Sequence, residues 1–192
     1  MKVGVLALQG DFLEHQQILT RLSVESPPVR LAEHLIDLDG LVIPGGESTT
    51  MGKLLEDFGM MGPLRSFAKT KPVWGTCAGS ILLSKDARRV QPLLSVMDIQ
   101  VARNAFGRQV DSFETDITFP VLAQFSDGNP PFHAVFIRAP LIEKVEKNVE
   151  VIGCLPDGSI IAARQGHLLA TSFHPELTAD DRFHRYFLEM IQ

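Results

Sequence analysis

The chain has 192 residues, 45% apolar and 21% charged, with a net charge of −5. That length suits one domain, 1–192, able to bury roughly 70% of its unfolded surface. The acidic balance argues against nucleic acid as the main partner, and the lack of any run near about 18 apolar residues argues against a membrane span. Two cysteines, Cys77 and Cys154, make no disulfide framework and sit in no metal-ligand spacing, so a reducing cytoplasm and no metal are expected.

Residues 2–8 form a near-continuous apolar run, the pattern of a strand covered on both faces, and are too short for a secretory signal. Asp11 with Glu14 three residues on predicts a capped helix to about residue 22, ended by Pro27-Pro28. A short strand is expected at 29–31 and a buried one at 41–43, stopped by Pro44. Gly45-Gly46 follows, then a helix over 51–58 with Ser48 or Thr49 as its candidate cap. Pro63 suits the first turn of a further helix to about residue 69, and a strand follows at 73–75. This alternation predicts βαβ units and a parallel sheet.

The second half changes character. Strands are expected at 96–101, 113–119, 134–137, 149–155, 159–163 and 168–172, with Pro156-Asp157-Gly158 as a hairpin turn and 125–132 as a surface loop. Antiparallel additions to the sheet are therefore expected. Thr178 with Asp181 predicts a last capped helix to about residue 191. The fold class that emerges is α/β, a three-layer α/β/α domain around a central mixed, mostly parallel sheet.

Sheets of this kind bind ligands outside the carboxyl ends of their strands. Three unusual loops lie at such ends: Gly45-Gly46, the turn at Cys77, and the segment after Ser172. A cysteine between small residues at a strand-to-helix turn fits a nucleophile elbow, where the helix N-terminus favours thiolate over thiol. The plain alternative is a buried structural cysteine, a common fate of that residue type. In extended backbone His174 and Glu176 would point to the same side, which suits a base for Cys77 and a carboxylate that orients it. A surface His beside a Glu is equally ordinary. A glycine pair after a strand lets backbone approach a ligand, and an amide there, with that of Ala78, could receive an oxyanion. A simple strand-to-helix turn would use the same residues.

Taken together, Pro44-Gly45-Gly46-Glu47-Ser48-Thr49-Thr50, Gly75-Thr76-Cys77-Ala78-Gly79 and Ser172-Phe173-His174-Pro175-Glu176 resemble the triad (class I) glutamine amidotransferases, a flavodoxin-like family. Within that family the chain is most similar to the glutaminase subunits of pyridoxal 5′-phosphate synthase. Three more stretches carry the likeness: Gly4-Val5-Leu6-Ala7-Leu8-Gln9-Gly10-Asp11, the segment 103–113 from Arg103 to Phe113, and Phe136-Ile137-Arg138-Ala139-Pro140. The likeness runs the length of the chain in the family's order. Departures are Ala102, Ala105 and a longer loop at 127–131.

The resemblance implies hydrolysis of L-glutamine to glutamate and ammonia. Cys77 would form a γ-glutamyl thioester, His174 would protonate the leaving ammonia, and Glu176 would orient His174. Glutamine would meet Gly46, Glu47, Ser48, Arg103, Ile137 and Arg138, an arginine pairing with its carboxylate. Gly46 and Ala78 would form the oxyanion hole, with Gln9 in support. No cofactor is implied, because pyridoxal phosphate is the product of the complex. The implied partner is a barrel-type synthase subunit in a large hetero-oligomer, and the isolated glutaminase is expected to be weak until docking completes its oxyanion hole. Rival readings are an elbow-cysteine peptidase or deglycase, a glutaminase of another pathway such as histidine biosynthesis, and a non-catalytic partner subunit. Cys154 reads as structural, and His15, His34, His133, His167 and His184 as packing or surface residues.

Overall fold

The protein's structure, a computed structural model, describes residues 1–103 and 112–192. The 104–111 part of the family motif, including Ala105, lies outside the described residues. In chain order the strands are β1 (Val3–Leu6), β2 (Pro28–Val29), β3 (Gly40–Ile43), β4 (Val73–Thr76), β5 (Ser84–Asp86), β6 (Met97–Ala102), β7 (Ser112–Ile117), β8 (Phe132–Ile137), β9 (Leu141–Val145), β10 (Glu150–Cys154), β11 (Ile160–Gln165) and β12 (Leu168–Thr171). The helices are α1 (Phe12–Arg21), α2 (Ser48–Asp57), α3 (Met61–Phe67), α4 (Ala78–Leu83) and α5 (Arg182–Glu189).

The main sheet runs β2-β1-β3-β4-β12-β11-β9-β6-β5, with β10 added along β11. From β2 to β12 every neighbouring pair is parallel, and beyond β12 the pairs β12–β11, β11–β9 and β9–β6 are antiparallel. The expected mixed, mostly parallel sheet is therefore present. Register decides where the site falls. Ile43 and Ala170 both stand opposite Gly75, and Thr171 stands opposite Thr76, so β3, β4 and β12 end side by side. Their exit loops must share one edge of the sheet.

Strand side chains alternate between two apolar layers, as the pleat requires. Leu41, Ile43, Val73, Leu168 and Ala170 face α2, α3 and α4, meeting Met51, Leu55, Leu64 and Leu82. Val3, Val5, Val42, Trp74 and Leu169 face the other way, toward Leu19 of α1 and Phe183 and Phe187 of α5. Phe119, Phe132, Phe173 and Phe183 form a cluster of edge-to-face and tilted rings in that second layer, with centroids 4.9 Å to 6.1 Å apart. Such pairs contribute about 0.5–1.5 kcal/mol each beyond the area they bury. Among the described residues no helix is long and apolar enough to cross a membrane.

Several local expectations need correction. Asp11 stands at the start of α1 but its carboxylate makes no cap hydrogen bond; it turns toward His174 instead. Helix α2 is capped by Glu47, not by Ser48 or Thr49, its carboxylate accepting from the amides of Thr49 and Thr50. Thr178 and Asp181 form no capping box, and Asp180 takes the Arg182 amide. Strands β5 and β9 were not expected: β5 has three residues with two exposed, and Glu143-Lys144 interrupts the apolar alternation of β9. Among the described residues β7 and β8 pair only with each other, forming a separate hairpin and not an extension of the main sheet. The expected strand 113–119 stops at Ile117, and a 3₁₀ helix not foreseen follows at Pro120–Phe125, where proline has no N–H to give a ladder. Phe132, assigned to a surface loop, is fully buried at the start of β8. Cys154 is exposed at the end of β10, so its expected structural role finds no packing here.

Candidate active site

Strand β4 runs straight into α4 through a single residue, Cys77, whose backbone sits at φ 46° and ψ −109°. Positive φ in a residue with a Cβ costs on the order of 1–3 kcal/mol and persists only when its surroundings enforce it. The flanking glycines are part of that enforcement. A Cβ on Gly79 would lie 2.0 Å from the Ile43 carbonyl oxygen, and one on Gly75 would lie 2.5 Å from the Gly79 carbonyl. Only glycine lets the helix start this close to the strand. The Cys77 amide donates to Thr171 O at 2.8 Å, and its carbonyl accepts from the Ser80 hydroxyl at 2.7 Å, so the turn is held from both sides. This is an elbow, and Cys77 is 6% exposed on it.

The neighbouring strand β12 delivers His174. Its backbone amide donates to Val135 O in β8 at 2.8 Å, which ties the hairpin to the site. Beyond it the chain does not stay extended: Pro175–Leu177 is a 3₁₀ turn. That turn, and not the alternation of a strand, brings Glu176 back against the imidazole. His174 Nδ1 lies 2.7 Å from Glu176 Oε1, with both side chains nearly buried. Nε2 is left to face Cys77, and the interaction with that side chain is the first of the causes that raise the His174 pKa. Burial alone would lower that pKa, but the interactions with Cys77 and then Glu176 outweigh it and carry it up to about 10. The imidazole is thus held as a cation beside the sulfur. Burial would likewise raise the Glu176 carboxyl, yet His15 and then His174 hold it well below the usual carboxylate range.

Two further groups reach this centre without having been expected. Asp11 Oδ2 lies 3.6 Å from His174 Nδ1, and burial raises the Asp11 carboxyl above its ordinary value. Asp11, His174 and Glu176 bring donor atoms within 4.8 Å of one another, a spacing that could hold a cation. His174 Nδ1 already serves Glu176, so the arrangement reads as one imidazole between two carboxylates. The other newcomer is His15, read from sequence as packing. Its Nε2 lies 3.3 Å from Glu176 Oε2, a close approach of ion-pair range in which Oε2 has no well-aligned hydrogen bond. No spacing rule links residue 15 to residue 176; only the packing of α1 on the second face of the sheet does.

The sulfur opens on a cavity of about 450 Å³. Every expected glutamine contact lines it: Gly46, Glu47, Ser48, Arg103, Ile137 and Arg138. Gln9, Ala78 and His174 line it too, joined by Asp11, Ile81 and Pro140, while Glu176 sits behind the imidazole. Arg103 is ion-paired, with Nη2 2.8 Å from Glu47 Oε1 and Nη1 2.8 Å from Thr49 Oγ1. Two of its five donors are used that way, leaving the rest for a ligand. The Thr50 hydroxyl and the Thr50 and Thr49 amides, then Arg103, overcome burial and bring the Glu47 carboxyl down to about 2. Loops 7–11 and 44–47 are locked together. Asp11 N donates to Gly45 O at 3.2 Å, and Glu47 N donates to Gln9 Oε1 at 2.7 Å. A Cβ on Gly10 would sit 1.7 Å from that Gly45 oxygen, so the contact demands glycine. A larger cavity, about 680 Å³, lies at the opposite ends of the strands beside Arg65, Lys69 and His167, and none of the residues around Cys77 lines it.

A profile of the SNO glutamine amidotransferase family matches residues 5–192. The chain belongs to that family. A relative from Herpetosiphon aurantiacus, named pyridoxal 5′-phosphate synthase subunit PdxT, is 58% identical over 98% of this chain and 99% of its own. One of the same name from Roseiflexus sp. is 53% identical, covering 99% of this chain and all of its own length. A crystal structure described as a glutamine amidotransferase overlays with a TM-score of 0.90 at 48% identity, over 98% of both chains. A GMP synthase subunit from Thermoplasma acidophilum, at 17% identity and a TM-score of 0.69, shares the fold alone. The SNO family glutaminase fold therefore accounts for the sheet, the elbow and the loops around them.

Proposed function

We propose that this chain hydrolyses L-glutamine through a thioester on Cys77 and supplies the ammonia to a pyridoxal 5′-phosphate synthase partner. Family membership and the PdxT relatives support the reaction. The residue roles rest on one observation: a strained, nearly buried cysteine beside an imidazolium that is fixed by a carboxylate, at the wall of a cavity lined by the expected ligand contacts.

The Cys77 thiolate attacks the side-chain amide carbon of glutamine, and the carbonyl oxygen becomes an oxyanion. The amides of Ala78, at the free N-terminus of α4, and of Gly46 receive it. His174 gives its Nε2 proton to the amide nitrogen, the C–N bond breaks and ammonia leaves. The imidazole, now neutral, takes a proton from water as the hydroxide adds to the thioester. Collapse of that second oxyanion expels the thiolate and releases glutamate. Glu176 stays ionised throughout and holds Nδ1. Arg103 and Arg138 pair with the α-carboxylate of glutamine, and a fork of this kind suits two carboxylate oxygens.

The partner proposed is a barrel-type synthase subunit in a large hetero-oligomer. Docking acts on the linked loops 7–11 and 44–47: a shift of Gln9 or Asp11 resets the Gly45–Gly46 peptide and with it the oxyanion hole. Steady-state ammonia release with and without the synthase tests this coupling, and equal rates would refute it. A glutamine-mimicking electrophile should label Cys77, located by mass spectrometry. Labelling elsewhere, or turnover of peptides in place of glutamine, would overturn the assignment.

A further inference from the structure

We propose that His15, held by His184, is a positioning residue for this reaction: its Nε2–H fixes the second oxygen of Glu176, so that the first stays aimed at His174. The inference rests on the reading of Cys77, His174 and Glu176 given above. His15 of α1 and His184 of α5 are both wholly buried, as is the side chain of Glu176. His15 Nδ1 lies 2.9 Å from His184 Nε2, and His15 Nε2 lies 3.2 Å from Thr76 Oγ1 and 3.3 Å from Glu176 Oε2. The chain of contacts therefore runs His184–His15–Glu176–His174–Cys77, from the second core layer to the sulfur.

Proton accounting gives the pair its direction. His184 is neutral, because burial and then the neighbouring His15 push its pKa well below the ordinary value. Its Nδ1 has no hydrogen-bond partner among the described residues. A neutral imidazole carries one N–H, which on Nδ1 would be buried and unpaired and on Nε2 can donate to His15. His15 then accepts at Nδ1 and keeps its hydrogen on Nε2, facing Thr76 and Glu176. If His15 is instead an imidazolium, both its nitrogens carry hydrogen and Nε2 faces the carboxylate all the same. The remaining arrangement, with hydrogen on His15 Nδ1 alone, lets Thr76 donate to Nε2 but strands the His184 N–H and leaves Glu176 Oε2 facing a lone pair across 3.3 Å with no donor among the described residues. Among the described residues Glu176 Oε2 has no other donor and His15 Nε2 is the nitrogen that faces it, at 3.3 Å, so this hydrogen is what keeps the carboxylate from turning about its last torsion. Trp74 stands edge-on to both imidazoles, at centroid distances of 5.6 Å and 5.0 Å, and limits their tilt.

The test compares His15→Leu, His15→Gln and His184→Phe in the full chain with its synthase partner. His15→Leu should lower kcat for glutamine by roughly 10–100-fold with KM nearly unchanged, the range seen when the partner orienting a metal-bound histidine is removed. His15→Gln places an N–H near the same point and should recover most of that loss. His184→Phe should fall between them. The far-downfield proton resonance of His174 Nδ1, read on the isolated chain, should move in His15→Leu and return in His15→Gln. A kcat within twofold of wild type for His15→Leu, or equal losses and unchanged resonance in both His15 variants, would overturn the proposal. Cys77→Ala separates the two levels: if it retains glutaminase activity the triad reading falls, whereas a dead Cys77→Ala beside a fully active His15→Leu sinks only the role of His15.

Discussion

Two helical glycines offer opposite outcomes for the same substitution. In Gly79→Ala the new methyl would stand 2.0 Å from Ile43 O and 2.9 Å from Ile43 C, both backbone atoms of β3. Non-bonded carbon contacts rest at about 3.5–4.0 Å, so α4 and β3 must part by more than about 1 Å. Alanine gains up to about 1 kcal/mol of helix propensity over glycine, but overpacking costs about 1–3 kcal/mol, and the upper end applies where backbone is the obstacle. The net expectation is a loss of about 2 kcal/mol. In Gly62→Ala, inside α3, the methyl meets nothing within 4 Å, so only the propensity gain remains. Urea unfolding followed by the single tryptophan, Trp74, which is fully buried, reads both. With a slope of about 2 kcal/mol per molar, Gly79→Ala should lower the midpoint by about 1 M and Gly62→Ala should raise it slightly. Because the same shift moves the elbow, Gly79→Ala should also lose about a hundredfold in glutaminase rate. A Gly79→Ala protein within about 0.5 kcal/mol of wild type and fully active would refute the close-approach argument.

Three further outcomes follow from the site. The charge on His174 stabilises the fold fully below its ordinary pKa of 6.5, and that contribution is lost as pH rises through about 10. Cys77→Ala removes the leading hydrogen-bond partner, so NMR titration of His174 should give a lower midpoint; a midpoint still near 10 contradicts the thiolate–imidazolium pairing. Glu47→Gln should cost about 1 kcal/mol, as loss of a helix cap does. Since the Glu47 pKa is depressed from 4.5 to about 2, the gap from wild type should be full above pH 4.5 and close as pH falls through 2, measured by unfolding midpoints. Arg103→Ala should raise KM for glutamine far more than it lowers kcat, and the reverse split would take Arg103 out of ground-state binding.

The parallel half of the fold was legible because each strand there is a short apolar run with punctuation at both ends. Pro44 after β3 and the Gly75-Thr76-Cys77-Ala78-Gly79 turn after β4 leave little freedom. The antiparallel half was legible only where both faces are buried, as in β12, whose four residues are all core. Strand β9 hides Glu143 and Lys144 in its run, and β7 alternates without burying any position before Ile117. Neither pattern states which sheet a strand joins. Register with β8 decides that, and register is a property of two segments twenty residues apart.

The candidate site divides along the same line. Cys77, Gly46, Glu47 and His174 could be placed because they follow strands whose ends are fixed by pairing, and parallel strands in register leave their exit loops on one edge. Glu176 does lie against His174, but by another route than the one expected: Pro175 opens a 3₁₀ turn, and the carboxylate meets Nδ1 by folding back, not by alternation. Asp11 and His15 were invisible because their chemistry is spent across the sheet and not along the chain. A helix cap and a buried imidazole look ordinary in one dimension. They acquire a role only when α1 lies on the face that carries the 3₁₀ turn, which sets one beside Nδ1 of His174 and the other behind Glu176. The sequence motifs mark the row of residues that line the cavity beside Cys77; what stands behind the carboxylate at 176 comes from a helix more than 150 residues earlier in the chain.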